Sequence, residues 1–477
     1  MKIADSLDEN LKKIKKLLPA EDVLVYRFSL PCGTECACVY ADGICDKRLI
    51  GELVAKPLFA LDEKPSKESL RLAFAFPESK EINDLSLLPD EVTDGNAALL
   101  CDGVATAFVL GMKTVPARAV TEPPTDVAVK GPRAGFVEDL KINLSLVRTR
   151  LKTPDLLLKT VVVGKQTHTK VALLYIKGVV QEEVVEAIEK RLNAISIDGV
   201  PDSSYIGLFL AERKHSLFRQ TGSTEKPDVL AARMLEGRVG ILVDGSPIAL
   251  TVPYLVVEDF QSSEDYFVSP YRATFMRFLR VFSLLLSIYL PAFYVAAQLF
   301  KLQLLPLGLL LTVASSIRDL PLSPSMEMFL TLLVLEVLTE ASVRMPKYVG
   351  LALSVVGALV LGDTAVNAGF LSTPAIMIIA LSGICLYTVP NLVETTSVIR
   401  LLMLLAAGSV GTYGIVLLSA FLFYYLFSTE SYGVPLLSPF APIVEGSLKD
   451  ALAKYNLQRL LLRPEELRGK NKTRLKV

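Results

Sequence analysis

The pattern of apolar and polar positions divides this 477-residue chain into two unlike parts. Up to about residue 265, apolar runs are short, alternate with polar positions and are punctuated by Gly, Pro, Asn and Asp. That is the pattern of half-buried strands and amphipathic helices. From about 276 to 427 apolar residues are nearly continuous. FMRFLRVFSLLLSIYLPAFYVAAQLF (275–300), FLTLLVLEVLTEASVRM (329–345), YVGLALSVVGALVLGDTAV (348–366), AIMIIALSGICLYTVP (375–390) and LLMLLAAGSVGTYGIVLLSAFLFYYLF (401–427) stand out. Each is near or above the roughly 17–25 residues that cross a hydrocarbon core of ~30 Å. Backbone in lipid must satisfy its own hydrogen bonds, so helices are expected. A sixth run, LQLLPLGLLLTVASSI (302–317), is broken by Pro306 and reads equally as re-entrant, interfacial or spanning. The expected architecture is an α/β soluble region followed by a polytopic α-helical transmembrane domain of five or six spans.

Within the soluble region the pattern repeats. EDVLVYRFSL (21–30) and ECACVYADG (35–43) read as strands, followed by a helical CDKRLIGELVAKPLFAL (45–61). DLLLKTVVVGK (155–165), KVALLYIKG (170–178) and the helical QEEVVEAIEKRLNAI (181–195) match them in order. Each copy ends in a hairpin, DGNAALLCDGVATAFVL (94–110) and EGRVGILVDGSPIALTV (236–252), with Gly95–Gly103 and Gly237–Gly245 equally spaced. Asp-Gly between alternating apolar runs predicts a tight turn with positive φ. Between the copies, Pro123-Pro124 and Gly131-Pro132 mark a linker leading into a helix that places Phe136, Leu140, Leu144, Val147 and Leu151 on one face. Glu138, Asp139, Lys141, Arg148 and Arg150 fall on the other; this helix reads as domain packing or as a partner-facing strap. The divisions are 1–120 and 154–265 for the two α/β modules, 121–153 for the linker and its helix, 266–430 for the membrane domain and 431–477 for a basic tail.

Composition narrows the function classes. Fifty Lys+Arg balance fifty Asp+Glu, so there is no basic field for nucleic acid. The opening MKIADSLDENLKKIKKLL is charged and amphipathic, without the apolar core of a signal peptide. The six cysteines do not form a disulfide framework. Cys32, Cys36, Cys38 and Cys45 are close in sequence, but no CxxC pair or neighbouring His completes a zinc spacing, and they read as small strand hydrophobes. No metal or cofactor is expected. Asp102 and Asp244 follow apolar strands as a Mg²⁺-binding Asp would, but without a phosphate-cradling G-x-x-x-x-G-K-[ST] they read as turn residues. His168 and His215 have no partner pattern, and no catalytic constellation emerges, so no enzyme is expected.

In the membrane half, Gly350, Ser354, Ala358 and Gly362 recur every four residues, a small face that lets helices approach closely. Val349, Leu353, Val356, Val360 and Asp363 form another stripe, apolar and then acidic, that fits either a packed helix or a hydrophobic constriction with a cation-attracting mouth. Leu359 falls on a different, packing face. Glu336, Glu340 and Arg344 are spaced four apart on the preceding segment and should pair or face the bundle interior.

Several longer motifs, in order, carry a resemblance: TEPPTDVAVKGPRAGF, LVRTRL, STEKPDVLAARMLEGRVGILVDGSPIALTVPYLVVEDFQSSEDY, RMPKYVGLALSVVGALVLG and SYGVPLLSPFAP. Together they resemble the A subunit of GerA-type spore germination receptors over nearly the whole chain. The resemblance implies a homo-oligomeric, nutrient-gated cation channel in the spore inner membrane, with the N-terminal domain on the core side. It implies as partners a transporter-like B subunit, a lipoprotein C subunit and membrane lipid. The paralogous stage V sporulation protein AF shares the architecture, so an ion-release amplifier is a second reading. A secondary transporter is a third, although the internal repeat lies in the soluble half rather than among the helices. An aspartyl protease fits poorly, because Asp319 is the only other Asp between 276 and 427 besides Asp363. Arg272, Arg277 and Arg280 before the first span, and the basic tail, place both ends on one side and require an even number of crossings.

Overall fold

The computed structural model describes the chain except for residues 62, 75–77, 115–122, 124–129, 302, 304–305, 319, 347–348, 351–354, 358, 468 and 475–477. Strands β1 (Val23–Ser29), β2 (Glu35–Ala41), β3 (Ser79–Ile82), β4 (Ala97–Cys101) and β5 (Ala107–Leu110) form an antiparallel sheet in the order β1-β2-β4-β5-β3. Strands β6 (Leu156–Val163), β7 (Thr169–Ile176), β8 (Gly222–Thr224), β9 (Val239–Val243) and β10 (Ala249–Val252) form a second, in the order β6-β7-β9-β10-β8. The two orders are the same, so the repeat in the sequence is a repeat of topology.

Both sheets are covered on both faces, as period-two alternation requires of a sheet between helical layers. In the first, Ala37, Val39 and Leu100 face one apolar cluster, while Cys36, Cys38, Leu99 and Cys101 face another with Val54, Leu58 and Leu70. In the second, Val171, Leu173 and Ile241 face Ile188, Leu192 and Ile206, while Ala172, Leu174 and Leu242 face Leu230 and Met234. The hairpin glycines have the expected positive φ, 79° at Gly103 and 86° at Gly245. The connections run over residues 102–106 and 244–248 rather than the two-residue turn that Asp-Gly predicts.

The repeat also reaches further upstream than the sequence pattern showed. Helices α1 (Leu7–Leu17) and α2 (Leu140–Arg150) begin alike. The Leu7 amide donates to Asp102 Oδ1 at 2.9 Å, and the Leu140 amide to Asp244 Oδ1 at 3.3 Å. Asn10 exchanges two hydrogen bonds with the Ala4 backbone, as Asn143 does with that of Val137. The first amides of a helix have no partner within it, so each turn aspartate also anchors a helix start. This corrects the reading of 136–151. The helix starts at Leu140, with Phe136 and Leu151 outside it, and it packs within the second module beside Leu156, Leu158 and Leu230. Leu144 is only partly buried, and Arg148 is not on a solvated face.

The second half is a bundle of helices: α3 (Pro270–Phe300), α4 (Leu307–Ile317), α5 (Pro324–Arg344), the Val355–Asn367 helix, α6 (Thr373–Leu386), α7 (Val393–Val410) and α8 (Thr412–Phe427). Among the described residues two, Pro270–Phe300 and the Pro390–Val410 stretch containing α7, are long and apolar enough to cross a membrane. The expected single segment 401–427 is two helices. Gly411, at φ 69° and ψ −143°, reverses the chain in a conformation open to glycine, and a Cβ there would stand 2.7 Å from the Phe300 ring. Gly414 lies so close to the Ala406 carbonyl that no side chain fits between α7 and α8. The α4 run has eleven residues, about 16 Å of helix, well short of a ~30 Å core. Its Val313 is buried against the bundle, while Leu307 and Leu311 are exposed.

The modules are joined by a buried ion pair. Arg148 of α2 gives two hydrogen bonds of 2.7 Å to the Asp22 carboxylate of the first module, and others to the Leu156 and Thr153 carbonyls. Arg148 is 2% exposed and Asp22 7%. Removing one partner of a buried pair typically costs about 3–5 kcal/mol, because the other charge is left unmatched. We expect Arg148→Ala to lower the urea midpoint of the soluble modules in the intact protein, and to raise amide exchange at 20–24 and 140–150 together. Exchange confined to one side of the pair would show that it does not couple the modules.

Candidate functional site

The stripe read from the sequence lies on the outside of the bundle. Val349, Val356 and Val360 are exposed (49%, 56% and 49%), as is Asp363; Leu353 lies outside the described residues. The small-residue face is used only in part within one chain. Gly350 is buried, with the place of a Cβ 3.3 Å from the Ser342 carbonyl, whereas Gly362 meets nothing within 4 Å. Ser354 and Ala358 lie outside the described residues. The close approach to α5 is made instead by Gly357, where a Cβ would stand 3.0 Å from Leu338. Leu359, expected on a packing face, is 60% exposed. The helix therefore leans on α5 through glycines and turns its valines outward.

Its far end is irregular and polar. Val360–Thr364 is a π-helical turn, a local widening frequent at functional positions. Asp363 Oδ1 accepts a 2.9 Å hydrogen bond from Asn367 Nδ2, and Asp363, Thr364 and Asn367 are all exposed. A carboxylate on the outer surface of an apolar bundle is costly in hydrocarbon and belongs where water or another chain reaches it.

The charges on α5 separate into two settings. Glu340 and Arg344 pair with each other at 2.5 Å, both well exposed. Glu336 turns inward and meets Arg400 of α7 at 2.5 Å. Arg400 is 1% exposed and also donates to Ser382 Oγ of α6 (3.1 Å), which donates to the Ser287 carbonyl of α3 (2.8 Å). One arginine thus ties four helices. Sequence reasoning missed it because the last apolar run was taken to start at Leu401, one residue too late.

The bundle is tied to the soluble part at one end. Arg277, fully buried, donates to Asp265 and to the Asp450 carboxylate (3.1 Å each), and to the carbonyls of Asp450 and Ala451. Arg280 holds the same Asp265 with two hydrogen bonds. Burial raises the Asp450 carboxyl above its ordinary range, and the Arg277 guanidinium opposes that shift. Two of the three arginines taken from the sequence as an orientation signal are therefore structural. A second contact comes from the loop before β8. Leu217 and Phe218 pack against the α7–α8 pair, Thr395 Oγ1 donates to the Leu217 carbonyl, and Arg213 bonds Ser428 and Thr429 at the end of α8.

Among the described residues no group of three or more His, Cys, Asp or Glu is placed to hold a metal. His168 and His215 are exposed and far apart in the fold of the second module. Cys36, Cys38, Cys45 and Cys101 are buried around the first sheet, while Cys32 sits half-exposed in the β1–β2 turn.

A sequence profile of the Bacillus/Clostridium GerA spore germination proteins matches residues 9–466. The chain belongs to the GerA family. It is 34% identical to spore germination protein KA of Bacillus subtilis over 99% of this chain and 88% of that protein. It is 32% identical to spore germination protein B1 of the same organism, over 97% and 98%, and 33% identical to its uncharacterized membrane protein YfkQ, over 97% and 91%. The crystal structure of the N-terminal domain of the A subunit of the Bacillus megaterium spore germinant receptor GerK3 aligns with 54% of this chain and 97% of that one, at 28% identity and a TM-score of 0.43. Family membership supports a role in spore germination. It also means that the exposed 355–367 helix and the Arg400 node stand in a GerA protein.

The thiols of this GerA chain should differ sharply in reactivity. A hydrogen bond with Thr34 lowers the Cys32 pKa, whereas burial raises that of Cys38 and pushes Cys45 up to about 12. The thiolate is the nucleophile. Iodoacetamide at mildly alkaline pH should label Cys32 first, with Cys38 and Cys45 labelled only after unfolding. Peptide mass spectrometry showing Cys38 modified as fast as Cys32 would contradict this packing.

Proposed function

We propose that this GerA protein is the pore-forming A subunit of a germination receptor, a non-catalytic membrane protein that assembles as a homo-oligomer and releases cations when the receptor senses nutrient. The observation that carries the reading is the 355–367 helix. It presents Val356, Val360 and Asp363 outward from a single chain, with Gly357 close against Leu338 of α5. Several such helices around an axis would form an apolar constriction with an acidic mouth, and closed rotational symmetry is the common solution for repeated subunits. Gly362, which meets nothing within 4 Å in its own chain, remains the position suited to close approach by a neighbouring chain.

The division at Gly411 bears on the topology we infer. In this reading α3, α5, the 355–367 helix, α6, α7 and α8 each cross once, and α4 is too short to add a crossing. Six crossings keep the soluble modules and the tail on one side, here proposed to be the core side of the spore inner membrane. The short helices α6 and α8 imply local thinning or tilt of neighbours, a modest cost. A transporter-like B subunit and a lipoprotein C subunit are the partners this reading requires, with the nutrient bound by B. The Leu217–Phe218 loop docked on α7 and α8 is a direct route from a soluble module to the bundle.

Dewetting closes an apolar constriction, so making it smaller or more polar favours the open state. We expect Val356→Ala and Val360→Ser spores to lose potassium and dormancy without nutrient, at matched protein levels. Leu311→Ser, on the exposed face of α4, should leave both unchanged. Gly362→Leu should instead reduce the oligomer in native mass measurements. Ion-tight Val356 and Val360 variants beside a leaking Leu311 variant would move the pore away from this helix.

A further inference from the structure

Four polar side chains from three helices meet inside the bundle, away from the soluble modules. Tyr294 and Gln298 stand one turn apart on α3, Glu327 lies in the first turn of α5, and Ser372 is the N-cap of α6. All are more than nine-tenths buried: Tyr294 7%, Gln298 6%, Glu327 0% and Ser372 2% exposed. Tyr294 lies within electrostatic reach of Glu327 and beside the side chains of Ser372 and Gln298. The Ser372 amide donates to Glu327 Oε1, and Ser372 Oγ accepts from the Ala375 amide. Glu327 Oε2, Gln298 Oε1, Gln298 Nε2 and the Tyr294 hydroxyl make no hydrogen bond of normal geometry, the hydroxyl having only the Ser372 and Gln298 side chains as close polar neighbours. Folded proteins pair roughly nine in ten or more of their buried polar atoms, so four orphans in one place call for a shared occupant.

The donor chemistry selects it. The first turn of α5 and the N-terminus of α6 both favour negative charge at Glu327. Arg400 does not neutralise it. That guanidinium is engaged by Glu336, nine residues further along α5, or about 13 Å. A water molecule would satisfy hydrogen bonds but leave a buried negative charge. A divalent ion wants several carboxylates or waters, and no three-acid group is present among the described residues. Three oxygens with free lone pairs, one of them from a carboxyl group, suit a single positive charge. The two helix ends offset part of the carboxylate's field, so binding should be weak.

We propose that Glu327, Gln298 and Tyr294 hold one monovalent metal cation, sodium or potassium, inside each chain, pinning α3 to α5 and α6. The site lies within one protomer and needs neither a pore nor an oligomer, so it stands or falls separately from the conduction reading.

The test is thermal unfolding of the full chain in detergent, in chlorides of potassium, sodium or N-methylglucamine at one ionic strength. A ligand bound only by the folded state raises the midpoint. For the native chain we expect a midpoint higher by about 2 °C or more in potassium or sodium than in N-methylglucamine. Gln298→Leu and Glu327→Gln should each abolish that difference. Should Glu327→Gln fail to fold, Tyr294→Phe together with Gln298→Leu reads the same loss. Equal midpoints for the native chain in all three salts would overturn the proposal. So would a salt difference undiminished in the variants, which places the cation elsewhere.

Discussion

A buried positive charge must be matched, and this fold places that constraint at each of its joints. The largest fully buried side chains are Arg148, Arg277 and Arg400. Arg148 joins the first module to the second through Asp22; Arg277 joins α3 to the segment before it and to the tail through Asp265 and Asp450; Arg400 joins α5, α6 and α7 through Glu336 and Ser382. Apolar contacts fill each unit, but they are non-directional and tolerate sliding. A guanidinium with a fixed fork of donors specifies one register. Against an apolar substitute such pairs add little net stability, so their contribution is to orientation.

Much of the soluble half was legible from periodicity and glycine spacing. Alternation in VLVYRFS and KVALLYI predicts strands because one face must be apolar, and Gly103 and Gly245 stand out because their turns need positive φ. What escaped was the work of the aspartates beside those glycines. Asp102 reaches Leu7 and Asp244 reaches Leu140, across about a hundred residues of chain, and no local window contains both partners. The same limit hid the role of Arg148, which looked like one charge among several on a helical face.

The bundle was legible in kind and misread in detail. Apolar density identifies helices for a membrane but carries no backbone dihedrals, so LLAAGSVGTYGIVLL looked continuous where Gly411 reverses it. Gly-x-x-Gly at 411–414 beside small residues was the available signal. For the candidate pore helix, spacing alone places Val356, Val360 and Asp363 on one stripe, but that the stripe faces out of the bundle comes from the structure. Which glycine touches α5 does not follow from spacing either, because Gly350, Gly357 and Gly362 look equivalent until the crossing of the two helices is known.

The Arg277 cluster fixes an order of events during synthesis. Domains fold largely as they emerge from the ribosome, N-terminal parts first. Asp265 and Arg277 are made early, but Asp450 and the Ala451 carbonyl are among the last groups to appear. Until then one end of α3 carries an arginine with three of its four acceptors missing. The Arg277 part of the seam between the soluble modules and the bundle is therefore the last to be completed. It closes once, after the whole bundle has been inserted, and a chain cut short before Asp450 would leave the ribosome with every helix present and that seam open.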